Sequence, residues 1–259
     1  MKISGKSITT AVISAALTLS AAVMLANGWL PGLTDGNGYL FPDDSATLTV
    51  TLPDDAGSFE LSDIPEYSGS PSCTVNGDLP FFSKDDLTAE AYESYSELDE
   101  LGRCGSAVSC VGKELMPTEE RGEIGMIKPS GWHTVRYAGV DNGYLYNRCH
   151  LIGYQLTGEN DNERNLITGT RYMNIEGMLP IENTVAQYIS RTGNHGLYRA
   201  TPVFEGGDLL CRGVLIECYS IEDSGSGICF CRFTYNVQTG VTIDYSDGSS
   251  SGPAYEEGD

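Results

Sequence analysis

The stretch from Asn147 to Asn174, NRCHLIGYQLTGENDNERNLITGTRYMN, limits the possible folds of this chain more than any other part of it. It opens on an arginine and a histidine two residues apart, which on a strand project to one face. It then runs through amide and charged side chains to Asn174, which opens or lies close to a helical stretch. Pro180 breaks that stretch, and the helix is expected to resume over Ile181 to Ser190. A fold that uses these residues together must set a strand face against the start of a helix.

Around this stretch the pattern is mostly β. Gly131 to Val140 and Asn142 to Tyr146 alternate about Asp141-Asn142-Gly143, predicting a hairpin. Tyr198 to Phe204, Leu209 to Tyr219 and Ile228 to Tyr235 read as three strands of an antiparallel sheet. The acid-rich run from Thr88 to Leu101 predicts a helix, with Asp85 or Asp86 favouring its start. The expected fold class is α+β, a mostly antiparallel sheet with packed helices.

The chain of 259 residues suits one sizeable domain. Lys2 and Lys6 precede an uncharged, mostly apolar run from Ile8 to Ala26, so residues 1–29 read as a signal peptide or signal anchor. Residues 8–26 approach the ~20 needed to span a bilayer, which keeps membrane anchoring open. Residues 30–70, rich in Gly, Pro, Asp and Ser, read as a flexible acidic linker. A domain over 71–246 and a polar tail over 247–259 follow. An exported chain, secreted or held on the outer face of the cytoplasmic membrane, is the expectation. Eight cysteines fit an oxidising compartment and favour disulfides over a structural zinc. Cys229 and Cys231 share a strand face and are not expected to pair with each other.

A net charge of −21 argues against a general polyanion binder. The charge is uneven, however: Gly112 to Ala200 holds nine Lys and Arg against ten Asp and Glu, so nearly all the excess lies in the flanks. Within the neutral window His150 is the candidate general base, its ordinary pKa leaving much of it neutral near pH 7. Arg148 offers a guanidinium for a phosphate. Asn165, Asn174 and Glu182 offer oxygens suited to a hard cation such as Mg2+. Together these are the groups that hydrolysis of a phosphodiester with one divalent metal requires. Arg121 and Arg171 are candidate phosphate contacts, with Lys128, Arg136 and Arg164 behind them. Trp132 and Tyr144, Tyr146 and Tyr154 are candidates for stacking on bases, and His133 and His195 read as structural.

Residues about 79 to 246 resemble the DNA/RNA non-specific endonucleases, the ββα-metal nucleases, and are similar to secreted streptococcal-type DNases. Asn147-Arg148-Cys149-His150 stands where the family has Asp-Arg-Gly-His. The resemblance implies that His150 is the base, Asn174 the metal ligand, Asn165 an active-site asparagine and Glu182 a helical glutamate that helps hold the metal's water. It implies a β-β-α element with Arg148 and His150 on the β-hairpin and Asn174 and Glu182 on the helix. The implied activity is sugar-non-specific or DNA-preferring endonucleolytic hydrolysis. The cofactor would be Mg2+, with Mn2+ as a substitute, and the products would carry 5′-phosphates. DNA and also RNA are the implied substrates. The departures at Asn147 and Cys149 leave three alternatives: a disulfide from Cys149 to Cys104 or Cys110, a cysteine-dependent hydrolase using Cys149, and a catalytically inactive exported binding protein on the same fold.

Overall fold

The computed structural model describes residues 49–255. The signal segment and the first part of the expected linker, residues 1–48, lie outside the described residues, as do 256–259. Among the described residues no helix is long and apolar enough to cross a membrane.

In chain order the strands are β1 (Ser72–Thr74), β2 (Tyr92–Tyr95), β3 (Ala107–Val111), β4 (Tyr146–His150), β5 (Leu166–Thr170), β6 (Gly196–Val203), β7 (Gly213–Ser220), β8 (Cys229–Tyr235), β9 (Thr242–Ile243) and β10 (Ser250–Ser251). Six of them form one antiparallel sheet in the order β1-β8-β7-β6-β3-β2. Its centre is β7, whose eight residues are all buried. β4 and β5 form a separate two-stranded ribbon, as do β9 and β10. A short helix α1 (Tyr154–Thr157) follows β4, and α2 (Leu179–Thr192) precedes β6. One face of the sheet, with Tyr198, Val214, Ile216 and Cys218, packs against Val185 and Ile189 of α2 and Cys149 of β4. This is the expected α+β class.

The three C-terminal strands lie where alternation placed them. Thr88 to Leu101 does not form a helix. Tyr92–Tyr95 is instead the edge strand β2, paired with β3 through Tyr92↔Cys110 to Tyr95↔Ala107. The Asp99 carboxylate then accepts the Leu101 and Arg103 amides in a tight turn closed by Gly102 at φ +71°. Pairing with β3 outweighed a weak local preference. The predicted hairpin about Asp141 reduces to a turn with a single bridge, Arg136↔Tyr144, and the regular ribbon is β4–β5.

Pro180 does not interrupt the helix. It occupies the first turn of α2, and the backbone before it, Met173–Met178, is π-helical. A proline lacks an N–H and crowds the carbonyl four residues back, and the wider π turn accommodates both effects.

The expected linker and tail are partly built into the fold. Leu52 is buried, Val50 bonds Ser224 and Tyr219, and the Tyr235 hydroxyl donates to the Pro65 carbonyl. At the other end, Tyr146 donates to Gly248, and Ala254 bridges Tyr137.

All eight cysteines are free thiols. The bridge from Cys149 to Cys104 or Cys110 is absent. Cys104 and Cys149 lie in one buried cluster with Cys211, and Cys104 donates to the Leu166 carbonyl at 3.2 Å and Cys110 to Thr88 at 3.1 Å. Burial pushes the Cys104 thiol up to about 12 and Cys110 to about 11.

Candidate active site

The β4–β5 ribbon followed by the helical segment from Met173 to Thr192 is a β-β-α unit, and a cleft of about 620 Å³ opens beside it. Arg121, Arg148, His150, Arg171, Asn174 and Glu182 all line this cleft. Of the seven residues singled out in sequence, only Asn165 does not.

His150 ends β4 and is 6% exposed. Its Nε2 lies 2.8 Å from the Asn160 carbonyl, an acceptor, so the ring proton belongs on Nε2. Nδ1 therefore carries the lone pair, and the Arg121 guanidinium donates to it at 3.2 Å. Burial lowers the imidazole pKa to about 4; the nearby Arg121 charge adds to this, while the Asn160 carbonyl opposes it. The ring is neutral at pH 7, with the correct nitrogen available once Arg121 moves aside.

Arg148 does project to the His150 side, but its guanidinium is already engaged. Nε donates to the Ile127 carbonyl and Nη2 to the Gly125 carbonyl at 2.8 Å, and the group lies 4.0 Å from the Trp132 ring centre. Arg171 holds the exposed Asp141 carboxylate with two bonds of 3.0 and 2.6 Å. Exposed pairs of this kind contribute little stability, so Arg171 is readily redirected to a phosphate.

Asn174 sits in the π turn and Glu182 in the first turn of α2, eight residues later. The Glu182 carboxyl is buried, and this raises its pKa to about 7; a hydrogen bond from Gln155 and the Arg121 charge pull the other way. Gly153 makes the approach possible, since a Cβ there would lie 2.4 Å from Glu182 Oε2. An amide oxygen and a buried carboxylate without an ion-pair partner, facing one cleft, fit a hard divalent cation that keeps most of its waters. No group of three His, Cys, Asp or Glu suited to a metal occurs among the described residues, so any such site depends on Asn174.

Asn165 has a different place from the one expected. It is wholly buried, its Oδ1 accepting the Ile152 amide at 2.9 Å and its Nδ2 donating to the Ile152 carbonyl at 3.1 Å. It pins the chain where it leaves β4. Asn160 and Gly153 were missed in sequence. Asn160 acts through its backbone carbonyl, which leaves no side-chain signature; a glycine three residues after His150 was the one visible trace of the second.

Residues 83–221 match the family described as DNA/RNA non-specific endonuclease. The chain belongs to that family. Among similar proteins, a deoxyribonuclease of Streptococcus dysgalactiae subsp. equisimilis is 31% identical over 112 residues, 41% of this chain and 33% of that one. The chain thus spans about a third of that curated relative's length. The crystal structure of NucA from Streptococcus agalactiae with no metal bound superposes with a TM-score of 0.64 at 22% identity, covering 74% of this chain and 92% of that one. The Sda1 nuclease with a bound zinc ion gives 0.53 at 30% identity, covering 64% and 80%. For this member of the endonuclease family, the NucA likeness bears on the fold alone, and the fold agrees.

Proposed function

We propose that the protein is an exported endonuclease that hydrolyses phosphodiester bonds of DNA, and of RNA where it is offered. The observation that carries the reading is the neutral His150, held by Asn160 with Nδ1 facing the cleft that Asn174 and Glu182 also line. NucA has also been solved with a magnesium ion bound, at a TM-score of 0.60. By analogy Asn174 would hold Mg2+ here, with Mn2+ as a substitute, and Glu182 would help hold its water. The ion would supply positive charge to the phosphate and to the departing oxygen.

The chain's own residues do the rest. An entering phosphate draws Arg121 off Nδ1, because a doubly charge-assisted contact is stronger than a bond to a neutral imidazole. The freed Nδ1 takes a proton from water as the water oxygen attacks phosphorus. The Asn160 carbonyl, still accepting from Nε2, offsets the charge that forms on the ring. Arg121 and Arg171 stabilise the charge gathering on the phosphoryl oxygens. The P–O3′ bond breaks and the 3′-oxygen takes a proton from a water in the open cleft, so the products carry 5′-phosphates. Recognition through arginines on the phosphate backbone implies cutting with little sequence preference. Export rests on the sequence of residues 1–29.

The test is plasmid cleavage by residues 30–259 with Mg2+ or with EDTA, beside His150→Ala and Asn174→Ala. Metal-dependent cutting is expected, with His150→Ala losing about 10²–10⁴-fold and Asn174→Ala losing the response to Mg2+. A folded wild type that binds DNA without cutting it would sink the reading in favour of an exported binding protein. Products ending in 3′-phosphate would refute the scheme.

A further inference from the structure

We propose that Arg148 is a positioning residue: it latches the 121–131 loop and thereby sets Arg121 against His150, instead of gripping the substrate phosphate. The inference rests on the nuclease reading above and assigns how its base is held ready. The loop contains no helix or strand, and Met126 in it is 69% exposed. Its flanks are tied elsewhere. Tyr154 donates to the Glu119 carbonyl at 2.8 Å, Thr168 donates to the Ser130 carbonyl at 2.8 Å, and the Ser130 hydroxyl donates to Leu209 at 2.7 Å.

Between these ties the chain makes one turn, closed by the Ile127 amide on the Ile124 carbonyl at 3.2 Å. Arg148 holds that turn at two points, through the Gly125 and Ile127 carbonyls. The guanidinium also lies over Trp132, which follows the loop, so its plane is fixed against a ring while its edge faces the two carbonyls. Arg121 stands at the loop's beginning, three residues before the turn, and donates to His150 Nδ1 at 3.2 Å. The base and the latch leave the same strand two residues apart, so the strand that carries His150 also carries the grip on the loop that supplies its partner. Two divergent N–H groups on one flat plane are a guanidinium's property, which an ammonium does not share.

The test uses Arg148→Gln, Arg148→Lys, Arg121→Ala and the double variant Arg148→Gln/Arg121→Ala. Plasmid-cleavage kcat and KM are measured with Mg2+, together with the rate of thermolysin cleavage within 121–131 on the same proteins without DNA. If Arg148 works through Arg121, Arg148→Gln lowers kcat by roughly 10²-fold, the scale of an ångström-sized misplacement, with KM nearly unchanged. Arg148→Lys then falls as far as Arg148→Gln, the double variant cuts no more slowly than Arg121→Ala alone, and the loop is clipped at least about tenfold faster in both Arg148 variants. Multiplying effects in the double variant, a raised KM that lysine restores, or unchanged loop clipping would overturn the latch in favour of a phosphate ligand. Clipping needs no catalysis. If the wild type does not cut DNA, the nuclease reading falls, and loop protection alone decides the latch.

Discussion

His150 shows how one side chain's chemistry is set by its neighbours. A histidine in water titrates near 6.5, yet burial within the ribbon lowers this one to about 4. Its charged form is the disfavoured one, so the ring stays neutral as pH falls through 6 and 5 and charges only near 4. NMR titration of the imidazole should therefore show its midpoint close to pH 4, while the acid limb of kcat/KM, which reports the free enzyme, also carries Glu182, raised to about 7. An imidazole midpoint near 6.5 would show that His150 is not held as described. Arg148 makes the complementary point. Its residue type and spacing suggest a phosphate ligand, while its actual partners are two backbone carbonyls and an indole ring.

At the scale of elements, the unit that carries the site is joined to the main sheet by buried amides. Asn236, fully buried after β8, accepts the Thr170 amide at 2.9 Å and donates to the Thr168 and Cys211 carbonyls at 3.2 and 3.0 Å. It ties β5 to the end of the six-stranded sheet, and nothing in its sequence surroundings marks it. Asn165 works within the unit, pinning the exit of β4 through Ile152. Asn165→Ala strands the buried Ile152 amide and carbonyl, which costs about 1–3 kcal/mol for each group left unpaired. The expected result is a lower urea midpoint with an unchanged slope. A variant as stable as the wild type but without activity would return Asn165 to the chemistry.

For the whole described molecule, the chain's end is structural. Within residues 242 to 255, β9 pairs with β10, Gly248 accepts the Tyr146 hydroxyl and Ala254 bridges Tyr137. Arg136 lies between Tyr144 and Tyr255, 4.9 and 3.6 Å from the two ring centres, and Tyr144 lines the active cleft. Deleting residues 249–259 should lower Tm by roughly 2–8 °C, the scale of one to two kcal/mol in a domain of this size. KM for DNA should rise as Tyr144 loses its support. An unaltered melting curve would show the tail to be dispensable.

The roles of His150, Asn174 and Glu182 were legible in sequence through the family resemblance, which their spacing matches. The antiparallel strands β6 to β8 were legible from their alternating pattern, which is local. Tyr92 to Tyr95 was not, because an acid-rich segment has no strong local preference and takes its conformation from the open edge of β3. Which nitrogen of His150 bears the proton was equally hidden, since it depends on a carbonyl ten residues away. The cysteines pointed to bridges through their even count alone, while all eight are free thiols in the structure. Sequence alone determined the order and spacing of the reactive groups and, through the resemblance, pointed to the β-β-α unit that they share, because motif spacing is local. Tertiary structure decided which are free to react and which only hold the others, because that depends on contacts between segments distant along the chain.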